Sequence, residues 1–358
     1  MKDTALILTN GRLATADAKT AHGLIRGTER FSIVGVIDPI SCGKDAGEIV
    51  DGRPRNIPVF ESIGTFLEHH RQKPDYCIIG VALSGGRLPE DWNDILLEVL
   101  NARISIISTM HHLLSEKPIL RAAARKNGVE IIDLRKPKPI DQLHFWSGEI
   151  LKVRAAKIAV LGMDCAIGKR TTARIITEMC RQEGIRTEMI YTGQTGWLQG
   201  YRHGFIFDAT LNDFVSGELE HAVVECDRQS SPDLILIEGQ SGLRNPSGPC
   251  GSEIIVSANV KGVILQHAPF RKHYEDLEHL NCLMPEVKDE IELIRMYGAQ
   301  TLAVALNGEG GTREELSDYR QDLSQQLQFP VVCPLYEGTA DLLPVIRRYI
   351  SRQHQQKD

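Results

Sequence analysis

Short apolar runs alternate along this chain with longer stretches in which apolar positions recur every three or four residues. That is the pattern of strand–helix–strand units, which build mainly parallel sheets flanked by helices. In the first part, residues 5–8, 32–37, 76–81, 104–108 and 129–132 read as strands, and 62–70, 91–101 and 118–127 as helices. A second series of strands is predicted at 157–161, 187–191, 234–237, 262–266, 301–305 and 331–332, with helices at 169–183, 219–228, 287–297, 313–327 and 340–352. Between the two series, Arg135-Lys136-Pro137-Lys138-Pro139 joins two prolines to three cations, which disfavours helix and suits an exposed connection. The expected organisation is two α/β domains, residues 1–145 and 146–358. The first resembles an open nucleotide-type sheet, although its first turn, Thr9-Asn10-Gly11-Arg12, lacks the Gly-x-Gly-x-x-Gly fingerprint. The polar last few residues are expected to be disordered.

At 358 residues and 42% hydrophobic content the chain can bury a substantial core. A net charge of −6 gives no basic footprint and argues against nucleic-acid binding. No apolar run approaches membrane length, and the start Met1-Lys2-Asp3-Thr4 does not read as a leader, so a soluble, cytoplasmic protein is expected, with no membrane partner and as a homo-oligomer. Eight cysteines without a Cys-x-x-Cys pair read as free thiols rather than a zinc site. The adjacent pairs His69-His70 and His111-His112 lack metal-site spacing.

The chemistry concentrates after the first strand of the second series. Gly162-Met163-Asp164-Cys165-Ala166-Ile167-Gly168-Lys169-Arg170-Thr171-Thr172 is a glycine-bracketed loop between a strand and a helix. Such a loop turns backbone N–H groups inward, adds the positive end of a helix and supplies a lysine, and so cradles phosphate. Two features depart from the usual P-loop: five residues lie between the glycines, and Arg170 follows Lys169 where Ser or Thr normally places a hydroxyl on Mg²⁺. Guanidinium cannot ligate a cation, so Thr171 or Thr172 would have to do so.

Three further constellations fall at predicted strand ends, which face the ligand crevice in open α/β sheets. Glu238 closes an apolar strand ahead of Gly239-Gln240-Ser241-Gly242, where it can hold Mg²⁺, orient water or accept a proton; Arg244 and Asn245 follow. Tyr191-Thr192-Gly193-Gln194-Thr195-Gly196-Trp197 reads as a glycine-rich loop whose Gln194, Thr195 and Trp197 suit a small polar ligand. The run Gln266-His267-Ala268-Pro269-Phe270-Arg271-Lys272-His273 offers His267 as a general base and Arg271 as a carboxylate clamp. In the first domain, Gly80 to Arg87 is a candidate second ligand-facing turn.

The loop at 162–172, Gly193-Gln194-Thr195-Gly196-Trp197, and Ile237-Glu238-Gly239-Gln240 with Pro246 together closely resemble the D-glutamate N-acetyltransferase-like family, long labelled a domain of unknown function. The resemblance spans nearly the whole chain and implies a Rossmann-like domain followed by a P-loop-type domain. It also implies transfer of an acetyl group from acetyl-CoA to the amino group of D-glutamate. Loop spacing and the Glu238-Gly239 turn resemble dethiobiotin synthetases more weakly; their loop also has five residues between its glycines. The family's common His-Pro after this turn is here Asn245-Pro246. On position alone, Glu238 or His267 is the candidate base, loop N–H groups or Gln194 the oxyanion donors, and Arg244 or Arg271 the substrate clamps, with Gln240 beside them. The alternatives are an ATP/Mg-dependent ligase or kinase acting on a small carboxylic acid, with Glu238 and Thr171 on the metal, and a non-catalytic nucleotide-binding regulator.

Overall fold

β1 (Asp3–Leu8) sends Leu6 and Leu8 to one face of its sheet and Ala5 and Ile7 to the other, and all four are fully buried. A strand covered on both faces reads as an unbroken apolar run, which is the signature of a parallel sheet between helical layers. The computed structural model describes residues 2–70 and 72–355 and separates the chain into two units. The first comprises the chain up to Lys138 together with Gln194–Tyr201; the second comprises Pro139–Gly193 and the chain from Arg202 onward.

The first unit holds β2 (Phe31–Ile37), β3 (Val59–Phe60), β4 (Tyr76–Ile79), β5 (Ser105–Ser108) and β6 (Ile131–Asp133) beside β1. Their order is β3-β2-β1-β4-β5-β6, all parallel, so the order reverses between β1 and β4 as in a doubly wound nucleotide-type sheet. Helices Lys19–Arg26 and Ala46–Asp51 and strand β3 add to the elements expected from sequence.

The second unit is a seven-stranded parallel sheet: β7 (Ala156–Gly162), β8 (Thr187–Tyr191), β9 (His203–Gly204), β10 (Leu234–Glu238), β11 (Gly262–His267), β12 (Gln300–Leu306) and β13 (Val331–Val332). The order β13-β12-β11-β7-β10-β8-β9 puts β7 between β10 and β11. Its register sets Gln266 beside Gly162 and Glu238 beside Val160, so three strand ends converge where the glycine loop leaves β7. Helices Lys169–Gln182, Asn212–Ser230, Ser252–Ser257, Val287–Met296, Arg313–Leu327 and Leu343–Gln355 surround the sheet.

Three readings of the sequence change. The units meet at residues 138/139 rather than 145/146, because the segment from His144 is held within the second unit. Buried Glu218 accepts from the His144 backbone N–H at 3.0 Å, and buried Glu220 accepts from that of Ile150 at 3.1 Å. The segment expected to be a glycine-rich loop contains a helix, Gln194–Leu198, which belongs to the first unit. The last helix runs to Gln355 and so takes in Gln353, His354 and Gln355 of the tail expected to be disordered; residues 356–358 lie outside the described part. No described helix is long and apolar enough to cross a membrane.

Candidate functional site

The glycine loop leaves β7 at Gly162, where an added Cβ would sit 2.7 Å from Lys169 Cδ and 2.9 Å from Ile167 Cδ1. Only a residue without a side chain lets the lysine stem lie back over the strand end. Ala166 (φ 53°) and Gly168 (φ 101°) both take left-handed backbone, which curls the loop into the start of the Lys169–Gln182 helix. Non-glycine residues in this region are strained, and a second one, Ser241 (φ 41°), stands in the turn after Glu238 and touches Cys165 of the loop. Lys169 ties the two strained segments together: its ammonium donates to the carbonyls of Asp164 and, at 2.8 Å, Ser241. Burial holds its pKa below the usual lysine range, opposed by Cys165 and the Asp164 carboxylate.

Asp164 braces the loop from behind. Its fully buried carboxylate accepts from the Cys165 N–H at 2.6 Å and Asn245 Nδ2 at 2.7 Å through one oxygen. The other accepts from Arg271 at 3.0 Å and the Glu275 N–H at 2.8 Å. The sequence placed Asp164 among the phosphate contacts; in the structure its acceptor capacity is directed inward. Cys165, half-buried, donates its thiol to Ser241 Oγ at 3.5 Å.

The two threonines after Arg170 differ. Thr172 is buried and bonded to Gln266 Oε1 at 2.6 Å, so its hydroxyl fastens the helix to β11, whereas Thr171 is half-buried on the first turn. Glu238, buried at the end of β10, accepts from the Thr192 N–H at 3.0 Å, and its carbonyl accepts from Thr192 Oγ1 at 2.9 Å. Gln240 Nε2 donates to the same hydroxyl at 2.9 Å. Burial raises the Glu238 carboxyl above its ordinary pKa, with Arg170, the Thr192 N–H and Lys169 pulling the other way.

Both cations proposed as substrate clamps are already paired. Arg271 reaches Asp164, Glu275 at 2.7 Å and Glu309 at 2.7 Å, while Arg244 Nε donates to buried Glu290 at 2.7 Å. His267 follows Gln266 on β11; its Nε2 lies 3.1 Å from the Tyr319 hydroxyl, and its Nδ1 is buried without a partner. Burial lowers its pKa to about 4. Gln194, Thr195 and Trp197 sort with the first unit. There Thr195 Oγ1 is 3.5 Å from Thr20 Oγ1, and Arg30 lies 4.0 Å over the Trp197 ring. The structure adds Ser241, Gln266, Tyr319 and Asn307, whose amide donates to the Ile167 carbonyl at 3.1 Å. The position of Ser241, Gln266 and Asn307 at or beyond a strand end hinted at them, whereas Tyr319 lies within the Arg313–Leu327 helix and carried no such signal.

His267 carries a stability consequence. A histidine whose pKa falls on folding is protonated more readily in the unfolded chain, so stability is full above about pH 6.5 and drains as pH falls towards about 4. Between about pH 7 and pH 4.5 the wild type is expected to lose about 2 kcal/mol that His267→Gln does not lose. Urea unfolding of both proteins at the two pH values checks this, and parallel losses would contradict it.

Among the described residues no three His, Cys, Asp or Glu side chains group as a metal site. The glycine loop between β7 and a helix that starts at Lys169 nonetheless has the arrangement of a P-loop. Comparison with known proteins places this geometry. Residues 144–343 match the P-loop domain, and residues 40–137 the Rossmann-like domain, of a family described as a domain of unknown function, DUF1611. A crystal structure of a DUF1611 family protein from Anabaena variabilis superposes with a TM-score of 0.87 at 26% identity, covering 97% of this chain and all of that one. A protein named D-glutamate N-acetyltransferase from Tritonibacter scottomollicae is 26% identical over 274 residues, 75% of this chain and 80% of its own length. One of the same name from a Pseudoalteromonas species is 25% identical over 273 residues, 74% and 79%. The chain belongs to the DUF1611 family, with its Rossmann-like domain first and its P-loop domain second.

Proposed function

We propose that this protein is an N-acetyltransferase that moves the acetyl group of acetyl-CoA to the amino group of an acidic amino acid, D-glutamate by its relatives' name. The observation that carries the reading is a phosphate loop whose metal-binding hydroxyl has been replaced. Arg170 stands in its position, and Thr172 is spent on Gln266 at 2.6 Å. Coenzyme A presents a pyrophosphate and a 3′-phosphate that need cations and N–H donors but no metal-assisted cleavage, and Lys169 with the loop supplies these.

Acetyl transfer requires the acceptor ammonium to lose a proton before its nitrogen attacks the thioester carbonyl. The coenzyme A sulfur then leaves and is protonated. A base works best with a pKa near the working pH. Glu238, raised by burial beside the loop, suits that task better than His267, which is lowered to about 4 and engaged by Tyr319. The paired state of Arg244 and Arg271 means that a substrate carboxylate would share a guanidinium with Glu290 or with Asp164, Glu275 and Glu309.

Calorimetric titration with acetyl-CoA, ATP and ATP·Mg²⁺, followed by mass analysis after D-glutamate is added, tests the reading. Acetyl-CoA is expected to bind equally with Mg²⁺ and with EDTA, and N-acetylglutamate to form. Tight binding of ATP that requires Mg²⁺, with no binding of acetyl-CoA, would replace this function with the ATP-dependent alternative.

A further inference from the structure

The first unit has the strand order of a dinucleotide-binding sheet, and the crevice of such sheets opens where the order reverses, between β1 and β4. In those folds the turn after β1 offers its N–H groups to a pyrophosphate, and a carboxylate at the end of β2 holds a ribose. Here the two parts are joined to each other. Asp38 immediately follows β2 and is fully buried. Its Oδ2 accepts from Thr9 Oγ1 at 2.7 Å, the Gly11 N–H at 2.8 Å and the Leu13 N–H at 2.9 Å, all in the turn after β1. Its Oδ1 accepts from the Ser41 N–H at 3.0 Å.

Two further features close the same turn. Asn10 (φ 47°) and Gly11 (φ 87°) curl it around the carboxylate, and a Cβ at Gly11 would lie 3.1 Å from Ile40 Cδ1. The following α-helix begins only at Lys19, so its positive end does not stand directly behind the turn. A pyrophosphate entering here would meet a buried like charge and donors already satisfied.

We propose that Asp38 is a resident anion of the first unit: its carboxylate fills the seat that a dinucleotide phosphate would need, so this Rossmann-like unit binds no dinucleotide, and removing the carboxylate uncovers a site for a small anion of carboxylate class. This goes beyond the acetyltransferase reading and stands or falls separately from it. The ligand chemistry of the chain is thereby assigned to the second unit.

The test has two arms. Wild-type protein titrated with NADH, NADPH and FAD should show no saturable change in cofactor fluorescence; saturable binding that persists in Lys169→Met would overturn the proposal. Asp38→Gly should lower Tm by roughly 5–10 °C, and sodium formate should restore most of that loss, saturably and beyond sodium chloride at equal ionic strength. Equal effects of formate and chloride would overturn it. If Asp38→Gly does not fold in either salt, Asp38→Asn decides: it keeps one accepting oxygen and should melt below wild type, whereas an unchanged Tm would show that no resident anion is needed.

Discussion

Asp164→Ala is expected to cost about 3 kcal/mol of stability, the lower end for breaking a buried ion pair, and to abolish phosphate-ligand binding with it. The substitution strands several donors at once. Asn245 Nδ2 and the N–H groups of Cys165 and Glu275 lose their carboxylate acceptor, and Arg271 keeps Glu275, Glu309 and the Cys165 carbonyl. Those donors come from the loop, the turn after Glu238 and the segment after β11, so one carboxylate sets the relative positions of three strand-end segments. Asp164→Asn keeps an accepting oxygen but sets an amide against the Arg271 guanidinium, and should fall between. Urea unfolding with parallel calorimetry on acetyl-CoA checks both effects. A variant that lost stability yet bound ligand normally would show that the brace does not shape the cradle.

Lys169→Met should separate what Asp164→Ala joins. Methionine keeps the apolar stem that lies against Gly162 and removes the ammonium, whose burial already depresses its pKa. Stability should change by less than about 1 kcal/mol, because the lost bonds to two carbonyls are offset by the relief of burying a charge. Affinity for acetyl-CoA should fall about 100-fold, the worth of a charge-assisted phosphate contact of about 3 kcal/mol. Retained affinity would mean that the loop N–H groups alone hold the phosphate and that Lys169 is an internal tie between Asp164 and Ser241.

The parallel strands were legible because each is covered on both faces: Lys157–Leu161 and Leu234–Ile237 are continuous buried runs, and the structure extends them by one residue or so at the ends. The glycine loop was legible because its glycines answer local backbone needs. What the sequence could not disclose was whether a given cation is free. Arg271 and Arg244 look alike as strand-end guanidiniums, and only the fold brings Asp164, 107 residues away, to the first and Glu290, 46 residues away, to the second. Thr172 was likewise a candidate metal ligand until β11 set Gln266 against it. The Gln194–Leu198 helix hid behind Gly193 and Gly196, which weaken helix propensity; tertiary packing overrides that preference. β3, two residues long, carries too little pattern to find.

The eight residues Gln194–Tyr201 have a consequence for how this protein is made. They carry the Thr28 hydroxyl bond to the Leu198 carbonyl at 2.7 Å, the Gln199 amide bond to the Gly23 carbonyl at 2.8 Å and the buried side chain of Leu198. A growing chain that has passed residue 138 therefore still lacks a piece of its N-terminal unit, which arrives only after the glycine loop, its helix and β8 have been synthesised. Domains that usually fold in order from the N-terminus as they emerge must here overlap in time. A fragment ending at Lys138 would leave the surface of the Lys19–Arg26 helix uncovered, so the smallest N-terminal piece expected to close its own core ends at or beyond Tyr201.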